Sequence, residues 1–515
     1  MTGSAAASSN GSRRSAELHV DPAAKFQPIL LRRPRRGARE WLPVLLRQRR
    51  LSTLGVLVVF LALQFLIPAR LVIGGLGAVG RPSVAVGILL ACLWLLSARR
   101  RGGLPAGRQP IRWLLGGYLS VQIFSYAVGY DRMLPQIEAN SADRWLIFNI
   151  AMVGVGLAVA DGVRTRRQLD VLLRAVVGFS AVMAFVGLLQ FLRIVDLTQF
   201  IRFPGLRHNY ALIGVGARGD ADFARVAGTA NHYIEFGVVL ALVLPIALHY
   251  AFFAAPGWRR VIHWVFVGLI ASSIPLSISR SAILTVAVSM GLLAVVWPWR
   301  RRYNVFVIAV LATAVFHVVN RGVLGTIRAL FSNLDNDPSI QGRLSDSAFV
   351  SQMFAERPWT GRGAGTVIPE RYILLDNQIY GTVIGGGVLG LLALVSLFVV
   401  PYLISRSVRL RGLSEESRHL GQALAAVMPA ALLASGTFDS FGFATFVGVL
   451  FVVIGATGAL LRLENVRPSS AITRTEPGSR YVTTPLTAGL RDHLQRNVKT
   501  CGQPLNVSTS DQEQP

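Results

Sequence analysis

From residue 51 onward the chain alternates long apolar runs with short polar connections. The runs fall near 51–68, 83–98, 112–129, 145–161, 171–193, 233–254, 260–277, 280–298, 303–320, 379–405, 419–435 and 440–461. Each approaches or exceeds the roughly seventeen apolar residues that carry a helix across a hydrocarbon core about 30 Å thick. A helix satisfies its own backbone polar groups in lipid and leaves no edge, so each run predicts a membrane-crossing helix. The expected fold class is all-α: a polytopic transmembrane protein of about twelve spans. The second and fourth runs are short, and the pair around Ser277-Ile278-Ser279-Arg280 reads as two helices joined by a tight turn.

Two polar intervals are longer than the rest, near 194–232 and 321–378. In the second, Gln341 to Glu356 can form an amphipathic helix with Leu344, Ala348, Phe349 and Met353 on one face. The ends are polar and rich in small residues, so 1–50 and 463–515 are expected to be disordered tails flanking a membrane domain over 51–462. The first apolar run follows a stretch holding Arg32, Arg33, Arg35, Arg36, Arg47, Arg49 and Arg50, and reads as a signal anchor.

Composition agrees with the pattern. Hydrophobic residues make up 52% of the chain and charged residues only 15%, against about a quarter charged on average in soluble proteins. The mean hydropathy is +0.50. The net charge of +26 comes almost wholly from arginine, since Lys25 and Lys499 are the only lysines. Its distribution favours the positive-inside signal over nucleic-acid binding. With a cytoplasmic N-terminus, the inner connections hold Arg99, Arg100, Arg101, Arg108, Arg112, Arg164, Arg166, Arg167, Arg174, Arg259, Arg260, Arg300, Arg301, Arg302, Arg406, Arg409, Arg411 and Arg418. The short outer connections hold Arg70, Arg81, Arg132, Arg144 and Arg280. Both termini are then cytoplasmic, and both long intervals lie outside. Cys92 sits in an apolar run and Cys501 in a tail, which supports neither a disulfide framework nor a thiolate metal site. No Walker A pattern, His-Glu-x-x-His or Cys/His ligand cluster occurs, so no metal and no cofactor is expected.

The residues that could carry chemistry fall on the predicted outer side. Arg280 opens a span at a tight turn, where a guanidinium either snorkels to the headgroups, pairs with Asp439, or grips a phosphate through its bidentate fork. Arg225, flanked by Asp220 and Asp222, is either a rim salt bridge or an anion contact. His232 at a helix mouth is a hydrogen-bonded rim residue or a base. Glycines at 361, 363 and 365 mark turns or admit an anion to backbone amides. Asp376, just before an apolar run, is a helix cap or an acid/base group.

Taken in order, Arg225-Val-Ala-Gly-Thr229, Ser279-Arg280-Ser281, Arg343, Glu356-Arg-Pro-Trp-Thr-Gly-Arg-Gly-Ala-Gly365, the polar pair Asp376-Asn377, Gly387-Val-Leu-Gly390 and Thr437-Phe-Asp439 resemble the O-antigen ligase and O-antigen polymerase family over about 50–462. The resemblance implies a bacterial inner-membrane glycosyltransferase of surface polysaccharide biosynthesis. Its donor would be an undecaprenyl-diphosphate-linked glycan and its acceptor a glycan or lipid-glycan, with membrane lipid and a polysaccharide export or assembly system as further partners. Transfer would be inverting and independent of metal and nucleotide. Asp376, Arg280 and Arg225 would be catalytic, and Arg343, Asn377, Arg362, Asp439 and His232 would bind substrate. The ligases carry His-Asn or His-Ser where this chain has Asp376-Asn377, a departure that points towards a polymerase or a ligase of another polysaccharide. The competing class is a transporter or flippase of lipid-linked oligosaccharide; the nearly uncharged spans and the absence of matched broken helices count against it.

Overall fold

The computed structural model describes residues 52–100, 102–105, 109–208, 216–217, 224–319, 325 and 338–465. The first predicted tail, nearly all of the second, Asp220 and Asp222 lie outside the described residues, as does the side chain of Arg343. Among the described residues thirteen α-helices follow one another: α1 Thr53–Leu66, α2 Pro82–Arg99, α3 Pro110–Tyr130, α4 Gln136–Gly162, α5 Arg166–Phe191, α6 Tyr233–Phe253, α7 Trp258–Ser273, α8 Arg280–Ala294, α9 Trp299–Val319, α10 Pro338–Glu356, α11 Gln378–Arg411, α12 Glu415–Ser435 and α13 Ala444–Asn465.

Each apolar run of the sequence coincides with one of these helices, and α10 is the loop helix, starting at Pro338 rather than Gln341. Among the described residues seven segments are long and apolar enough to cross a membrane: α2, α4, α5, α6, α11, α13 and Trp258–Ser277, which contains α7. The chain is therefore a multi-pass membrane protein. α1 and α8 are apolar but shorter. The hairpin at 274–280 is two helices, as expected: Pro275–Ser277 forms a 3-10 turn, Ile278 turns left-handed at φ 46°, and Ser279 caps α8 by accepting from the Ala282 amide.

Burial separates centre from rim. The apolar windows of α6 and α13 are 89% and 94% buried, whereas those of α2 and α7 are only 22% and 28% buried. α13 packs on α4 and α11, while α6 packs on α5, α7, α8 and α12. Leu89, Leu93, Leu95 and Leu96 leave the outer face of α2 apolar and exposed, the surface a lipid-facing helix needs.

Side-chain contacts gather the two predicted sets of connections at opposite ends of the bundle. At one end Arg112 pairs with Asp161 at 2.8 Å, Arg166 with Glu416 at 3.6 Å, and Arg406 donates to Gln422 at 2.8 Å. At the other, strand β1 (Leu71–Ile73) pairs antiparallel with β2 (Leu206–His208), β3 (Gly216–Ala217) pairs with β4 (Ala224–Arg225), and Arg132 donates to the Arg362 carbonyl at 3.0 Å.

Candidate active site

The site begins with a break in a helix. At Gly387 the backbone of α11 takes φ 60° and ψ −154°, a conformation essentially reserved for glycine. A break inside an apolar helix frees carbonyls and amides that must find partners. The 357–365 loop supplies them: the amides of Arg362 and Gly363 donate to the carbonyls of Ile384 and Gly385, both at 2.9 Å. In return Val388 and Leu389 donate to the carbonyls of Pro358 and Trp359, at 2.9 and 3.2 Å. Gly361 is the closest crossing, since a Cβ there would stand 2.4 Å from the Gly385 carbonyl, and one at Gly363 would stand 2.6 Å from the Gly129 Cα. The loop glycines thus serve backbone-to-backbone packing, and the Gly363 amide is already engaged.

Ionic contacts clasp the rest of the loop. Glu138, 1% exposed, accepts from Arg132 at 2.6 Å and from the Tyr372 hydroxyl at 3.0 Å. Arg362 pairs with Glu356 and lies 5.9 Å over the Tyr372 ring.

Between this loop, α3, α4 and the first half of α11 lies a cavity of about 270 Å³. Its polar lining includes Gln122, Ser125, Asn377, Gln378, Thr382 and Asp439. Gln378 joins two parts of the wall: its amide N–H donates to the Phe438 carbonyl at 3.2 Å, and its Oε1 accepts from the Phe441 amide at 2.8 Å. That holds the turn carrying Asp439 against the start of α11. Burial, with the Asp376 carboxylate acting in the same direction, raises the Asp439 pKa to about 6.

Asp376 itself is exposed and does not cap α11; the cap is Asn377, whose Oδ1 accepts from the Ile379 amide at 2.9 Å. Capping is therefore not what places a carboxylate at 376.

Residues 264–395 match the family model described as O-antigen ligase. Over these residues the chain is similar to the O-antigen ligase family. No curated protein matches it. The match indicates a polysaccharide-directed membrane ligase of glycosyltransferase type. The O-antigen ligase-like segment contains Arg280, the 357–377 loop and the broken part of α11; Gln122, Ser125, Asp439, Arg225 and His232 come from outside it.

The remaining predicted residues sit at the same end of the bundle. Arg225 is buried, 4.3 Å over the Tyr233 ring. His232 caps α6 through Nδ1, which accepts from the Ile234 amide at 3.2 Å, and its ring lies 5.9 Å from Phe443. Phe443 is in turn 5.4 Å from Phe438, so an aromatic chain joins the Arg225 corner to the Asp439 turn. Burial, then the Arg225 charge, lowers the His232 pKa to about 4, which leaves it a neutral capping group and a poor base. Arg280 is half-buried at the start of α8, on a turn that packs against α6 one turn in from His232: a Cβ at Gly237 would stand 2.4 Å from the Ser277 Oγ. Arg225, His232, Arg280, Arg362 and the exposed Asp376 do not line the cavity; Asn377 and Asp439 do.

Sequence reasoning missed Gln122 and Ser125, Gln378, Glu138 and Glu235. Glu235 is fully buried and accepts from the Thr445 amide at 2.7 Å and the Asn231 amide at 2.8 Å, tying the start of α6 to the start of α13. The available signal was a polar residue inside an apolar run, with Gln122 and Ser125 three apart on one helix face.

Proposed function

We propose that the protein transfers an undecaprenyl-diphosphate-linked glycan onto a glycan or lipid-glycan acceptor at the outer face of the bacterial inner membrane, with inversion and without metal or nucleotide. The observation that carries the reading is the cavity beside the break in α11. The O-antigen ligase match supplies its loop and helix walls, and Asp439 lines it within the electrostatic reach of Asp376 at its rim. In the proposed step an acceptor hydroxyl attacks the anomeric carbon. The bond from that carbon to the diphosphate oxygen breaks as the new glycosidic bond forms, and the hydroxyl proton passes to the Asp376–Asp439 carboxylate pair. A shared site suits that task, because a carboxylate titrating near the working pH accepts a proton without binding it too tightly. Arg280 and Arg225 would hold the departing diphosphate, whose charge grows in the transition state and is best met by guanidinium forks.

The arginine asymmetry supports cytoplasmic termini and an outward site. The Asp376-Asn377 pair favours a polymerase or a ligase for another surface polysaccharide. Arg280→Lys and Asp376→Ala each test the reading: surface polysaccharide extension is lost while the protein stays inserted at normal abundance. Normal polymer length in both variants would defeat it.

A further inference from the structure

At the opposite end of the bundle lies a second cavity of about 400 Å³, between the α8–α9 junction, the end of α11 and the start of α12. Arg301, Arg409 and Arg418 line it, opposed by one carboxylate, Glu415. None of the three arginines makes an ion pair among the described residues. Three guanidinium groups converging on one space repel each other unless an anion is present, and their forks suit phosphate oxygens.

The wall behind them is fixed. Trp297, 2% exposed, donates its indole N–H to the His419 Nε2 at 3.0 Å. An indole can only donate, so that nitrogen carries no proton and neutral His419 directs its Nδ1–H at the His249 Nδ1, 3.1 Å away. Arg301 lies 4.8 Å over the Phe252 ring.

What surrounds the opening decides between a soluble anion and a lipid. Trp299 is 75% exposed and Tyr303 58%, while Leu410 and Leu413 are each 70% exposed. Along α9 the exposed surface continues through Phe306, Ile308, Leu311 and Val318. Amphipathic aromatics grouped where an apolar flank meets a basic pocket mark the headgroup level of a membrane, and basic pockets between helices at that level take lipid phosphates. The geometry points to a binding site for the phosphate of an anionic membrane lipid, held by Arg301, Arg409 and Arg418, with its acyl chains along α9. This site is separate from the transfer cavity and does not depend on the reaction proposed there.

The test uses the purified full-length chain in mild detergent, with phosphatidylglycerol, phosphatidylcholine and inorganic phosphate as probes. Native mass spectrometry reads retained lipid, and thermal unfolding reads stabilisation. Phosphatidylglycerol is expected to bind at least tenfold more tightly than phosphatidylcholine. The Arg409→Gln/Arg418→Gln variant is expected to lose that preference while unfolding normally in phosphatidylcholine. Glu415→Gln, which removes the opposing charge, is expected to bind phosphatidylglycerol several-fold more tightly and keeps the test open if the double variant does not fold. Equal binding of the two lipids, undiminished phosphatidylglycerol binding in the double variant, or inorganic phosphate binding as tightly as phosphatidylglycerol would each overturn the assignment.

Discussion

A carboxylic acid that titrates near neutrality beside an exposed second carboxylate gives Asp439 a pH signature. Its pKa is raised to about 6 by burial and by Asp376, against about 3.9 in an unfolded chain. As a proton acceptor it must be ionised, so transfer activity is expected to rise with pH through about 6, and Asp439→Asn should lose that limb along with most activity. The stability effect has the opposite sense. The folded state holds the proton more tightly, so the contribution of Asp439 is present below pH ~4 and is lost as pH rises through about 6. Asp439→Asn should therefore unfold at an equal or higher temperature than the parent at pH 7, and a clear loss of stability there would contradict the assigned environment. Arg280, Asp376 and Asp439 were all visible in the sequence as charges at the ends of apolar runs. That Asn377 rather than Asp376 would cap α11 was not, because both side chains cap helices and only the backbone geometry chooses between them.

The broken helix α11 and the loop seated in it form a single element. Gly387→Ala places a Cβ 2.6 Å from the Pro358 carbonyl oxygen at φ 60°, so both strain and contact oppose it. Thermal unfolding in detergent should report a loss of about 2 kcal/mol or more, on the order of the cost of holding a side chain in such a backbone region. The loop is also clasped from outside, and Glu138→Gln replaces the carboxylate that accepts from Arg132 and Tyr372 by a neutral amide. A cost of about 1–2 kcal/mol and faster proteolytic cleavage within 357–377 are expected; unchanged cleavage would mean that the clasp does not hold the loop. The helices themselves were legible, because apolar length in a membrane chain depends on little else. The insertion of the loop into α11 was not, since pairing between distant backbones leaves only glycines as a trace, and a glycine cluster reads equally well as an anion loop. Glu138 and Glu235 were overlooked for a related reason: a lone acid beside or within an apolar run names no partner until packing brings Arg132 or the first turn of α13 to it.

Across the whole molecule, α6 and α13 form a buried axis and the chemistry-bearing groups divide between its ends. One end holds the cavity of Asn377, Gln378 and Asp439 with Arg225 and Arg280 nearby; the other holds the arginine pocket around His419. That the connections fall into two sets at opposite ends was readable from the alternation of apolar runs, and the arginine counts add the expectation of which end is cytoplasmic. The central claim is glycan transfer from a lipid diphosphate, and the most direct measurement incubates the purified protein with a lipid-diphosphate-linked glycan and candidate acceptors, with neither nucleotide nor metal. The account predicts lengthened or transferred glycans whose new linkage is inverted at the anomeric carbon, abolished by Arg280→Lys. Movement of intact donor across a vesicle membrane with no new glycosidic bond would contradict it.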